Sequence, residues 1–202
     1  TDLVITEVYA NSPGSVSDSG KEWIEVTNVT ADTTIALEGA TLIRLDGTAQ
    51  AEEWRITLSD APTLGAGETV VMSTSDDLGI GLCFSFTPYL LPSTFSLGNS
   101  GVQFLQIQTL NGEGETVKYS NSNSFPDGQS RERADNTNTD DLDTAWTSSI
   151  CELTGNTFGT PGKSVGECLG EADFLPETEC GGSPVITTDG GVTFEPISSE
   201  LD

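Results

Sequence analysis

The segment of this chain with the most chemistry in it is residues 135–143, DNTNTDDLD. Asn136, Asn138 and Asp140 alternate as oxygen donors, with Asp141 and Asp143 close behind, and hard oxygen ligands of this kind suit Ca²⁺. The segment lacks the mid-loop glycine and the terminal bidentate glutamate of an EF-hand, so a solvated polar loop is the plainer reading. No motif requires a cofactor, and Ca²⁺ is the one ion that the pattern admits. Paired carboxylates raise the chemistry of glycoside hydrolysis, in which two acids flank one bond. Glu22 with Glu25 and Glu52 with Glu53 are the obvious pairs. Strand neighbours point to opposite faces, so neither pair is expected to face one substrate. Histidine is absent, which removes the commonest general base and the commonest transition-metal ligand. A cysteine nucleophile would want such a base beside it. The expectation is a protein that is not an enzyme.

Charge points the same way. The chain holds 32 acidic and 7 basic residues among 202, a formal net charge of −25. Such a field repels phosphate backbones and anionic lipid surfaces, and it attracts Ca²⁺ and polycations. No nucleic-acid partner is expected. No apolar run approaches the length of a membrane-spanning helix, so no direct membrane insertion is expected either. The four cysteines are an even number without a zinc-type Cys-x-x-Cys pair, which favours two disulfides in an oxidising compartment. The chain starts at Thr1 and enters an apolar strand within two residues. That reads as a mature terminus after signal-peptide removal, and a trimmed chain would begin the same way.

The elements that must carry these residues are short strands. Apolar residues make up 35%, and 22 glycines with 9 prolines break the chain often. Residues 3–9 (LVITEVY) are rich in β-branched side chains and read as an opening strand. Residues 22–28 (EWIEVTN) alternate, with Ile24 and Val26 on one face and Trp23 and Glu25 on the other. Residues 35–37, 41–45, 53–58, 68–73, 102–109 and 116–119 continue the series, the last two joined by a hairpin-like Asn111-Gly112-Glu113-Gly114. The expected fold is all-β, an antiparallel immunoglobulin-like β-sandwich with a C-terminal extension. From residue 120 the texture turns to Asn, Ser, Thr and Asp, and Trp146 returns as a core anchor. Beyond Cys168 there are eight acidic residues and no Lys or Arg. This composition suits a linker, with residues 184–188 (PVITT) and 192–194 (VTF) as its strand-competent pieces. The division expected is 1–168 for the sandwich and 169–202 for an acidic extension able to pair with a sheet edge of its own or a neighbouring copy. Tyr9, Trp23 and Trp54 offer a sugar-stacking platform or, more simply, core packing. Asn28-Val29-Thr30 is a formal glycosylation sequon, read as coincidence.

Several short motifs, in their order, resemble the lamin-tail domain family in its secreted prokaryotic form. They are LVITEVY at 3–9, Glu22-Trp23-Ile24-Glu25-Val26-Thr27-Asn28, Leu37-Glu38-Gly39-Ala40-Thr41-Leu42 and Leu64-Gly65-Ala66-Gly67-Glu68. Leu97-Gly98-Asn99-Ser100-Gly101, Gly128-Gln129-Ser130 with Arg133, and Gly159-Thr160-Pro161-Gly162 follow. The resemblance covers residues 3–165 and implies an immunoglobulin-like sandwich without a catalytic centre. It does not cover the long insertion at 77–96, which contains Cys83, or the tail after Cys168. Four cysteines allow three connectivities. Cys151 and Cys168 bracket the Gly-Thr-Pro-Gly motif, so the favoured pairing is Cys151–Cys168, with Cys83–Cys180 pinning the tail to the insertion.

The expected function is an extracellular structural or interaction protein, secreted or at the cell surface. Its expected partners are other copies of itself or cell-surface components, as in a fibre, a surface layer or an adhesive subunit. Two alternatives stay open: an accessory module of a secreted hydrolase, and a calcium-dependent carbohydrate or surface-polymer binder.

Overall fold

The computed structural model describes all residues except 1, 15–17, 19, 113, 121–125, 134–144, 155, 165, 176–181, 187–191 and 197–202, with backbone alone for 182–186 and 192–196. In chain order the strands begin with β1 Leu3–Tyr9, β2 Trp23–Asn28, β3 Ile35–Ala36, β4 Thr41–Asp46 and β5 Ala51–Thr57. β6 Thr63–Leu64, β7 Thr69–Ser73, β8 Tyr89–Leu90, β9 Gln103–Gln108, β10 Gly114–Ser120 and β11 Arg131–Arg133 follow. The series ends with β12 Trp146–Ser148, β13 Glu152–Thr154, β14 Thr157–Phe158, β15 Gly182–Ile186 and β16 Val192–Pro196.

Two sheets form the sandwich. One has six strands in the order β12-β11-β1-β2-β7-β8, and the other has four in the order β10-β9-β4-β5. The expected all-β sandwich is therefore the fold. Its pairings are antiparallel except β7 with β8, which run parallel at the sheet edge. The insertion supplies the reason: residues 74–88 are a crossover long enough to return the chain in the same direction. Alternation places Ile5, Val8, Ile24, Val26, Val70 and Met72 on the inner face of the six-stranded sheet. There they meet Leu42, Ile56, Leu105, Ile107 and Val117 of the other sheet. Trp146 joins this core as expected. Among the described residues, no helix is long and apolar enough to cross a membrane.

The outer face of the six-stranded sheet is covered as well. Tyr9, Trp23 and Val71 on that face pack with Leu78 and Phe84 of the insertion, and Phe86, Leu169 and Phe174 close over them. The insertion and the chain after Cys168 also touch through backbone: Ser85 N–H donates to the Asp173 carbonyl at 2.8 Å and Leu175 N–H to that of Cys83 at 2.9 Å. The first part of the acidic extension is thus a piece of the sandwich's cover. Further on, β15 and β16 pair with each other as an antiparallel hairpin.

Candidate functional site

β1 is the strand on which the covered face is organised. It is buried along its whole length, and it carries a bulge between Ile5 and Glu7. The bulge shifts the alternation by one residue and turns Glu7 to the outer face while Val8 keeps the core. Glu7 then stands directly opposite Glu25 on β2 and opposite Glu132 on β11. Three glutamates form one rung across three neighbouring strands. All three side chains are sealed from solvent, at 1%, 2% and 2% exposure for Glu7, Glu25 and Glu132. Directly opposed strand residues have Cβ atoms about 4.5–5.5 Å apart, so like charges there repel.

A strap of chain, residues 159–164 with Gly166 beyond, lies on this rung. Thr160 donates its N–H to Glu7 Oε1 at 2.8 Å and its hydroxyl to Glu7 Oε2 at 3.2 Å. Gly162 donates its N–H to Glu25 Oε2 at 2.7 Å, and Gly166 donates to Glu132 Oε2 at 2.8 Å. From the sheet side, Ser130 donates its hydroxyl to Glu7 Oε1 and Thr6 to Glu25 Oε1. The Gly-Thr-Pro-Gly sequence follows from this docking. A Cβ on Gly159 would sit 2.8 Å from Trp23 Cζ2, and Gly162 adopts the left-handed φ of +78°. The Cys151–Cys168 disulfide, formed as expected, closes the chain around the strap with Cα atoms 5.1 Å apart.

Burial dominates the electrostatics. It raises Glu7 well above the ordinary carboxylate range, the Glu25 carboxylate adds to this, and the bonds from Ser130 and Thr160 oppose it. Burial likewise raises Glu25 to about 7, against the hydrogen bonds from Thr6 and Gly162. Glu22 lies elsewhere: burial raises it to about 8, the Leu97 N–H pulls it down, Asp18 adds to the rise and Arg44 opposes it. Glu22 and Glu25 thus share no environment, as the alternation predicts. Glu115, buried on β10, is matched by Arg133 at 2.7 Å and also accepts the Ile5 N–H. The exposed Glu52 pairs with Arg55.

The remaining sequence candidates divide clearly. Asn136, Asn138, Asp140, Asp141 and Asp143 lie outside the described residues. Among the described residues, no cluster of acidic or cysteine side chains has metal-holding geometry. Cys83 is disulfide-bonded, and Cys180, its expected partner, lies outside the described residues. Tyr9 and Trp23 are fully buried and stacked with ring centroids 5.8 Å apart, which makes them packing and not a platform. Asn28 is fully buried too, and its amide donates to the carbonyls of Thr33, Leu64 and Gly65. In this fold the sequon asparagine is a loop staple. The acidic rung itself went unread in the sequence. Its signal was Glu7 inside an apolar strand and Glu25 on the same face as a buried Trp.

No protein-family model matches the chain, and a search of curated proteins finds no match. What the fold and site define is a disulfide-stapled all-β sandwich whose second face is sealed by a strap hydrogen-bonded to buried glutamates.

Proposed function

We propose that the chain is an extracellular structural or interaction module of lamin-tail type, secreted or at the cell surface, which assembles with other copies of itself or with cell-surface components. The observation that carries the reading is how the acids are used. Those with the most displaced titration are buried and spend their oxygens holding loops, which builds a scaffold. The disulfides fit an oxidising compartment.

Hydrogen-bonding capacity for assembly lies at β5. This seven-residue strand pairs with β4 on one side, and among the described residues no strand pairs on its other side. An open edge accepts an extra strand by β-augmentation. Glu52, Glu53 and a bulge at Glu53 guard it against indiscriminate pairing. With a net charge of −25, copies repel one another at low ionic strength, so association is expected to need Ca²⁺ or high salt. The donor proposed is the β15–β16 hairpin of another copy.

Light scattering and electron microscopy of the full chain, with and without Ca²⁺ and salt, test this against a chain lacking residues 181–202. Assembly of the full chain that the shortened chain loses is the expected result. A monomer under every condition, or equal assembly of both chains, contradicts it.

A further inference from the structure

We propose that the Glu132–Glu7–Glu25 rung holds its strap through bound protons, so that the strap is a pH-operated latch over the Tyr9–Trp23 surface. The geometry carries the argument. Three carboxyls in direct cross-strand succession, sealed from water, cannot all be ionised without large repulsion and desolvation costs. Something must neutralise them.

Among the described residues, the groups that face the rung offer no free cation to do so. β11 brings Ser130's neighbour Glu132, β1 brings Glu7 and Tyr9, and β2 brings Glu25. The strap brings Lys163, which is engaged by Asp173 at 2.7 Å. The insertion contributes the rings of Phe84 and Phe86. Of the two arginines on β11, Arg131 donates to the Tyr119 carbonyl and Arg133 is held by Glu115. A metal ion is the other neutraliser. Ca²⁺ asks for about 6–8 oxygens, yet five of the six rung oxygens already accept hydrogen bonds. Glu132 Oε1 alone is buried with no partner. One open oxygen is too little for a metal shell.

Proton loss then acts on the strap. As the rung ionises, repulsion among its members and their demand for water oppose the dry layer under the strap. Lifting the strap hydrates the carboxylates and uncovers Trp23, on which Gly159 rests. The Cys151–Cys168 bridge tethers the segment at both ends, which makes the opening local and reversible. Acid closes the latch and alkali opens it.

Amide hydrogen exchange of the full chain, from about pH 5 to about pH 9 and corrected for intrinsic rates, reads this directly. Protection of the Thr160, Gly162 and Gly166 amides should fall by about tenfold or more across the range, the factor that one pH unit of proton linkage supplies. Amides of β4 and β9 should hold level. Glu25→Gln alone, and Glu7→Gln with Glu25→Gln, should weaken or remove the step, since glutamine keeps an acceptor and cannot ionise. The wild-type series stands by itself should a variant fail to fold. Level strap protection, an undiminished step in a folded variant, or full restoration of alkaline protection by added Ca²⁺ would each overturn the proposal.

Discussion

The two faces of the six-stranded sheet are both buried, and they are buried by different physics. The inner face meets the second sheet through Ile5, Val8, Ile24, Val26, Val70 and Met72, a largely apolar contact whose buried acid, Glu115, is matched by Arg133. On the outer face a strap is held by hydrogen bonds to three buried glutamates, beside the stacked Tyr9 and Trp23. Same strands, same depth, different chemistry: hydrophobic burial is blind to pH, whereas a carboxyl layer is stable in proportion to the protons that it keeps.

That contrast can be broken at either face. Leu42→Ala, in the core contacting the inner face, should cost about 2–5 kcal/mol, the range for truncating a buried leucine. Denaturant midpoints should show the same loss at acid and alkaline pH; a loss that changes with pH would erase the distinction. The outer face is subtler. An unfolded glutamate releases its proton near 4.5, while in the fold Glu25 keeps it to about 7 and Glu22 to about 8. Glu7 also titrates well above the ordinary range. Between those limits the folded chain binds more protons than the unfolded one, so stability is full below about 4.5 and declines as pH rises through about 8. Glu25→Gln should flatten the decline over its lower part and leave the Glu22 portion in place. A midpoint that rises from acid to mildly alkaline pH would reverse the sign and refute it.

Period-two alternation made most of the sandwich readable in the sequence. β1 matches its expected bounds, the 22–28 segment places Ile24 and Val26 inward, and the β9–β10 hairpin turns at Asn111-Gly112. The short strands β6, β8, β11 and β12 were not foreseen, because two or three residues carry no periodicity and owe their strand form to the neighbours they pair with. The acidic rung was hidden for a related reason. Glu7, Glu25 and Glu132 lie far apart in sequence, and register plus a bulge bring them together. The Gly-Thr-Pro-Gly motif was recognisable as a motif, but its reason, a backbone pressed against Trp23 and donating into Glu7 and Glu25, is a tertiary fact.

The central claim is that this face holds protons at neutral pH, and the glutamate carboxyl ¹³C resonances report it most directly. Titrated by NMR in the full chain, Glu25 should change at about 7, and Glu7 should remain protonated well above the ordinary carboxylate range. A glutamate in a short peptide, at about 4.3, is the reference. Glu7 and Glu25 titrating at that peptide value would contradict the account.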